Sequence, residues 1–151
     1  MHLKNLDTID QQILTALFAN GRLSHAELGR KLGLTRAAVR ERVNTLVNEG
    51  IISNFTIVVN PMRAGKNIST YFNIQVTPNK LLNIVEQLSQ QEEITNIYQM
   101  SGKTHLHAHA LFDNQEQLQC CLEKINQMNG ILSIETEFVI ARHKERGALL
   151  I

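Results

Sequence analysis

Arginine and lysine side chains are concentrated in the first third of the sequence, at a spacing suited to binding an anion. Residues 22–46 carry six basic and two acidic side chains, whereas residues 51–151 carry eight basic and nine acidic ones. Arginine can form bidentate hydrogen bonds to guanine edges and ion pairs with phosphates. The cluster therefore favours a nucleic-acid partner, although a run of charges is also typical of a solvated face.

The segment between Thr35 and Gly50 predicts a helix with an apolar side and a polar side. Val39, Val43 and Leu46 recur at helical spacing and face inward. The outward sector holds four residues: Arg36, Ala37, Arg40 and Asn44. Two arginines one turn apart can both reach guanine edges or phosphates, and a small alanine can touch a thymine methyl group.

A second predicted helix precedes this one, and a tight turn joins the two. Ser24 and Glu27 form a capping-box signature, and Gly33 suits a turn that needs a positive φ. Helices joined in this way form a helix-turn-helix, in which the N-terminal part of the second helix enters the major groove of duplex DNA. We therefore predict that Arg36 and Arg40 contact base edges.

Other residues of this region are predicted to contact phosphates, which fixes orientation without reading the sequence. Thr35 lies at a helix N-terminus, a position that favours a phosphate. Four basic side chains suit phosphates better than bases: Arg22, Arg30, Lys31 and Arg42. For Arg42, an internal ion pair with Asp10 or Glu49 is the alternative.

At residue 51 the spacing of apolar residues changes from the helical period to alternation at every second residue, which indicates a second domain. A strand is predicted over residues 51–60, and a linker with Pro61 and Gly65 follows it. The remaining elements are predicted, in order, as strand 69–77, a helix after Pro78, strands 94–101 and 105–112, helix 114–128 and strand 131–142. This order is the ferredoxin-like βαββαβ pattern, so the chain is predicted to be an α+β protein. Both helices cover one face of the sheet, and the other face needs a partner.

Histidines alternate with apolar residues in one predicted strand. His105, His107 and His109 are two residues apart, which places their imidazoles on one face of the sheet. Two of them could share a metal ion with help from elsewhere, or the row could form a pH-sensitive patch at a subunit contact. The third interpretation is that they bond to neighbours as structural residues. We predict no metal centre and no cofactor.

Several functional classes are disfavoured by the sequence. No apolar run approaches the roughly 20 residues of a membrane helix, and the N-terminus lacks the apolar segment of a secretory signal. Cys120 and Cys121 are adjacent, which makes a mutual disulfide awkward and indicates a reducing, cytoplasmic setting. The chain shows no nucleophile–base pair, phosphate loop or paired carboxylates, so we predict that it is not an enzyme.

The motifs together resemble the Lrp/AsnC family, the leucine-responsive or feast/famine transcriptional regulators of bacteria and archaea. The matching residues include Leu6-Asp7-Thr8-Ile9-Asp10, Gly21-Arg22-Leu23-Ser24, Leu32-Gly33-Leu34-Thr35, Gly50-Ile51-Ile52, Asn60-Pro61 and Gly130. The resemblance implies a winged-type helix-turn-helix domain over residues 1–50, a connecting strand and linker over 51–67, and an oligomerisation and effector-binding domain over 68–151. It also implies homodimers that pair through their sheets, often assemble into octamers, and bind a small effector, commonly an amino acid, between dimers.

The residues that the resemblance assigns to the effector depart from the family pattern. The assigned region comprises Met100, Ser101, Gly102, Lys103, Thr104, His105 and Thr136. In the family this loop usually reads Gly-x-x-Asp, and His105 stands where the acid would be. Ile134 replaces one of two threonines of the last strand. A metal- or pH-responsive sensor on the same scaffold, without amino-acid binding, is therefore the alternative function.

Overall fold

The computed structural model describes residues 6–101 and 105–143, and of His105 it describes the backbone alone. The elements in these ranges are helices α1 Thr8–Ala19, α2 His25–Leu32, α3 Arg36–Asn48, α4 Leu81–Ser89 and α5 Gln115–Asn126, and strands β1 Ile68–Val76, β2 Ile94–Met100, β3 His105–Phe112 and β4 Ile131–Phe138. The chain divides into two compact units between Val58 and Val59, inside the segment predicted to connect the domains. The predicted α+β class is confirmed.

The three helices of the N-terminal unit begin at side-chain caps. Asp7 Oδ1 accepts a hydrogen bond from the Asp10 amide at 2.8 Å. The predicted capping box is present, because the Glu27 amide donates to Ser24 Oγ at 3.2 Å and the Ser24 amide donates to Glu27 Oε2 at 2.8 Å. These bonds satisfy amides that the first turn of each helix leaves without a partner.

An aliphatic core holds the three helices together. Leu28 of α2 contacts the inward face of α3, and both pack against α1. The buried side chains of this core are Ile13, Leu14, Leu28, Val39, Val43 and Leu46. Burying each of them stabilises the unit by about 1.5–3 kcal/mol relative to an exposed position. The inward face predicted for α3 is thereby confirmed.

The C-terminal unit is a four-stranded antiparallel sheet with two helices on one face. Its strand order is β2-β3-β1-β4, as the ferredoxin-like pattern requires. Alternate residues of β1 and β3 point towards the helices, and the rings of Phe72 and Phe112 meet there with centroids 6.2 Å apart. α4 contributes Ile84 and Leu88 to this core. The longest helix in the described ranges has 13 residues, and none of these helices could cross a membrane.

Cys121 belongs to the same core and is buried there. Its thiol is buried on α5, and burial raises the pKa of Cys121 to about 11. A thiol with so high a pKa is almost entirely protonated at neutral pH and is therefore a poor nucleophile. This agrees with the interpretation of Cys121 as a packing residue, while Cys120 is exposed on the same helix.

The strand predicted over residues 51–60 is wrong. These residues carry no regular secondary structure, and Ile57 and Val58 are 81% and 88% exposed. The alternating β-branched pattern has high strand propensity, but a strand forms only where a neighbouring edge accepts its hydrogen bonds. None of the described strands pairs with this segment. High strand propensity was therefore not sufficient to form a strand here.

Thr70 is a buried polar side chain of the sheet, and replacing it with an apolar residue is predicted to stabilise the protein. It is fully buried on β1, and its hydroxyl has no hydrogen-bond partner among the described residues. Because an unpartnered buried hydroxyl is costly, Thr70→Val is expected to raise the free energy of unfolding by about 1 kcal/mol in a denaturant titration. Thr77→Val is the control and should lower stability, since the Thr77 hydroxyl donates to the Gly130 carbonyl at 3.2 Å. A less stable Thr70→Val variant would contradict this assignment.

Candidate nucleic-acid interface

A tight turn between α2 and α3 fixes the orientation of α3. Gly33 has φ +69° and ψ +30°, the left-handed conformation predicted from the sequence. The Leu34 amide donates to the Gly29 carbonyl at 2.9 Å, which ties the turn back to α2. Because both helices also share a buried core, the turn gives α3 a defined angle rather than a flexible hinge.

Gly29 is a second glycine on which the turn depends, and the sequence analysis missed it. It lies in the interior of α2, where glycine is less favourable than alanine by up to about 1 kcal/mol. A Cβ atom at this position would lie 2.6 Å from the Leu34 carbonyl oxygen. Only a residue without a side chain allows this approach, and a glycine inside an otherwise helical pattern was the signal that could have revealed it.

The outward side of α3 brings together the predicted base-contacting residues. Arg36, Ala37, Arg40 and Asn44 are exposed, and with Glu41 they line one open surface depression. We call these five residues the recognition face. It lies beside the buried face of α3 and is open to solvent, so its side chains can meet a large partner without disturbing the core.

Glu41 is the member of the recognition face that was not predicted. It follows Ala37 by one helical turn, so its spacing alone places it on this side of α3. Its negative charge sets it apart from the basic residues that indicate a DNA-binding surface.

Arg42 makes internal ion pairs rather than pointing to the recognition face. Its Nη1 atom lies 2.6 Å from Asp7 Oδ2 and 2.8 Å from Asp10 Oδ1, at the start of α1. The sequence offered Asp10 or Glu49 as an internal partner of Arg42, and the contacts with Asp10 and Asp7 favour that alternative over a phosphate contact. Hydrogen bonds from the Asp10 amide and from Arg42 lower the pKa of Asp7. The contribution of Asp7 to stability is therefore present above the ordinary pKa of aspartate and is lost as the pH falls through the lowered value.

We predict that Arg42 contributes to folding and not to DNA affinity. In the full chain, Arg42→Ala should lower the melting temperature of the N-terminal unit, because Asp7 and Asp10 lose their shared cation. The slope of log affinity for DNA against log salt should stay unchanged. Arg22→Ala is the control, and it should reduce that slope by about 0.9 while leaving the melting temperature in place. An unchanged melting temperature with a reduced salt slope for Arg42→Ala would show instead that Arg42 contacts a phosphate.

The predicted phosphate contacts lie outside the depression of the recognition face. Arg22 lies in the turn after α1, where its amide donates to Asn20 Oδ1 at 3.0 Å, and its side chain is exposed. Thr35 caps α3, and its hydroxyl oxygen accepts from the Ala38 amide at 3.1 Å. A threonine hydroxyl that accepts one bond can still donate its proton to another acceptor.

The residues assigned to the effector that the structure describes lie on two edges of the sheet. Met100 and Ser101 lie at the end of β2 and are exposed, whereas Thr136 lies on β4. β2 and β4 are the two opposite edges of the sheet, with β3 and β1 between them. Within a single chain, two strands therefore separate Thr136 from Met100. Gly102, Lys103 and Thr104 lie outside the described residues, as does the side chain of His105.

The sheet face away from α4 and α5 carries a row of hydrogen-bonded polar side chains. His107 Nδ1 lies 2.8 Å from Asn73 Oδ1, and Asn73 in turn donates to Glu137 Oε1 at 3.3 Å. An amide oxygen can only accept, so Nδ1 of His107 carries the proton in this contact. The ring of Tyr71 stacks on His107 with centroids 4.8 Å apart and lies 4.7 Å from the ring of His109.

His109 is bonded to side chains on both sides of its ring. Nε2 lies 2.8 Å from Ser69 Oγ, and Nδ1 lies 2.7 Å from Thr95 Oγ1. Among the described residues, no cluster of three or more His, Cys, Asp or Glu side chains is arranged to hold a metal ion. For His107 and His109, these contacts support the interpretation as residues bonded to their neighbours.

Comparisons with known proteins find a match for each of the two units. A winged helix-turn-helix DNA-binding model matches residues 6–53, and an Lrp/AsnC ligand-binding domain model matches residues 69–149. An uncharacterised HTH-type transcriptional regulator of Pyrococcus abyssi is 34% identical over 145 residues, covering 92% of this chain and 89% of the relative. The structure of E. coli AsnC superposes with a TM-score of 0.87 at 26% identity, covering 97% of this chain and 99% of AsnC. A Neisseria meningitidis transcriptional regulator solved as an L-Met complex superposes with a TM-score of 0.89 at 19% identity, covering 97% of each chain.

Proposed function

The chain belongs to the Lrp/AsnC family of DNA-binding transcriptional regulators, and on this premise we propose that it reads specific duplex sequences with the recognition face of α3. The observation that carries the proposal is the exposure of Arg36, Arg40 and Asn44 on one side of a helix whose other side is buried. A helix of this kind fits the width of the major groove, where base pairs present distinct patterns of donors and acceptors.

Each residue of the interface has a proposed role. Arg36 and Arg40 donate to guanine edges, Asn44 pairs with an adenine edge, and Ala37 contacts a thymine methyl group. Thr35 and Arg22 donate to phosphates on either side and set the register of α3 in the groove. The turn at Gly29 and Gly33 holds α3 at the angle that these contacts need, whereas the ion pairs of Arg42 stabilise the unit without contacting DNA.

We propose that two copies pair through the sheet face that α4 and α5 leave uncovered. Tyr98 and Met100 are 54% and 51% exposed, and both sit opposite histidines of β3 on that face. The polar side chains there satisfy one another, so covering the face would leave few groups without partners. A symmetric dimer would present two α3 helices to two half-sites about one helical turn apart on the DNA.

We also propose that a small effector binds where chains meet. Because the assigned residues lie on opposite edges of the sheet, Met100 of one chain and Thr136 can line one site only if different chains contribute them. The L-Met bound to the Neisseria regulator supports an amino acid as the chemical class. Further assembly of dimers into octamers would multiply such contacts.

Light scattering combined with a thermal-shift screen tests the assembly and the effector together. The expected results are a mass of at least a dimer at micromolar concentration and a higher melting temperature with one or a few amino acids. A monomer would contradict pairing through the sheet. If zinc, nickel or a pH between 5.5 and 8 shifts melting or mass and no amino acid does, the metal- or pH-responsive alternative is favoured.

A further inference from the structure

Glu41 is the single acidic member of the recognition face. Its side chain is exposed, and in the described part of the chain its carboxylate takes part in no ion pair. It adjoins Arg40 in sequence and lies one turn after Ala37. A carboxylate on a face that meets a polyanion needs a specific reason, because it weakens binding to every phosphate nearby.

Helix geometry directs the side chain of Glu41 towards the N-terminal half of α3. Side chains on a helix lean towards its N-terminus, so the carboxylate of Glu41 extends over the turn that contains Ala37. Because Ala37 is only a methyl group, it leaves that space open. The N-terminal end of the second helix is also the part that enters the major groove in this motif.

The chemistry of the groove narrows what the carboxylate can contact. Guanine offers only acceptors at its major-groove edge and thymine offers an acceptor and a methyl group, so both disfavour an ionised carboxylate. Cytosine offers the N4 amino group as a donor and has no acceptor of its own on the major-groove edge. Adenine also has an amino group, but its N7 acceptor lies next to it and opposes the second carboxylate oxygen.

We propose that Glu41 is a specificity-determining residue that accepts a hydrogen bond from cytosine N4 at one position of each half-site. It selects sequence by rejecting guanine and thymine there, at the expense of affinity for random DNA. The inference rests on the proposed sequence-specific function and adds to it the base that the acidic residue reads.

Selection from a randomised duplex library tests the proposal with three forms of the full chain: wild type, Glu41→Gln and Glu49→Gln. Glu49 is exposed at the end of α3 and lies outside the recognition face, so its variant makes the same charge change at a different place. The wild type and Glu49→Gln should select the same sites, with an invariant cytosine at one position. Glu41→Gln should lose that cytosine, favour adenine, and keep the rest of the site.

Affinities for single duplexes give the matching quantitative result. Changing the selected cytosine should weaken wild-type binding by about 5- to 150-fold and leave Glu41→Ala nearly unaffected. If Glu41→Gln selects the wild-type sequence unchanged, the role of Glu41 is refuted while sequence-specific binding stands. If the wild type itself enriches no sequence, the proposed function fails first, and the two failures are thereby distinguished.

Discussion

Replacing Gly29 with alanine is expected to destabilise the N-terminal unit by up to about 2 kcal/mol and to weaken DNA binding. Alanine would gain up to about 1 kcal/mol of helix propensity. However, the added Cβ would lie 2.6 Å from the Leu34 carbonyl oxygen, a backbone atom that cannot rotate away. Overpacking of this kind costs about 1–3 kcal/mol, and relieving it requires the turn to open and α3 to tilt.

The neighbouring glycine of the turn provides the control for this prediction. Gly33 needs its left-handed conformation, but no atom lies within 4 Å of a Cβ built there. Asparagine adopts that conformation more readily than other residues with a side chain, so Gly33→Asn should keep most of the stability and DNA affinity. Thermal unfolding and fluorescence anisotropy on one duplex measure both properties. A Gly29→Ala variant more stable than the wild type would contradict the close approach of Gly29 to Leu34.

Replacing Arg40 with alanine is expected to weaken binding to a selected site by about 1–3 kcal/mol, the range for losing a bidentate contact to guanine. Binding to random DNA should weaken much less, because only one diffuse charge is lost. The ratio of the two affinities therefore falls. Arg22→Ala is the matched control, since a phosphate contact contributes equally to every sequence and should weaken both duplexes by the same factor.

The salt dependence of binding in the same titrations distinguishes contacts to base edges from contacts to phosphates. Loss of a phosphate contact reduces the slope of log affinity against log salt by about 0.9, whereas loss of a contact to a base edge need not change it. If Arg40→Ala weakens specific and random duplexes equally and reduces the slope, Arg40 is a phosphate contact. The assignment of Arg40 to a base would then be wrong.

Local features of the fold followed directly from the sequence. The capping box of Ser24 and Glu27, the left-handed turn at Gly33 and the inward face of α3 each depend on residues within a few positions of one another. Helical and strand periods also gave the order of elements in the C-terminal unit, since one face of each element is buried.

Features that depend on distant parts of the chain did not follow from the sequence. Arg42 meets Asp7, which is 35 residues away in the sequence. Asp10 was one of two partners that the sequence offered for Arg42, and spacing could not choose between them. The segment 51–60 has the composition of a strand, yet pairing depends on an edge that the sequence does not specify.

The two proposed sites differ in whether their residues lie together within a single chain. The recognition face lies on one helix, so helical spacing places Arg36, Arg40 and Asn44 together. The effector residues are separated by the strand order, which becomes evident only when β1 and β3 are seen to lie between β2 and β4. The proposed effector site therefore requires an assembly of chains, and a single sequence period does not reveal it.

Methylation protection on a selected duplex tests most directly whether the recognition face lies in the major groove. Dimethyl sulfate methylates guanine at N7 in the major groove and adenine at N3 in the minor groove, so the pattern reports the groove that is covered. We expect protection of guanine N7 in each half-site, and loss of protection at one guanine with Arg40→Ala. Protection confined to adenine N3, or unprotected guanines under a bound chain, would contradict the account.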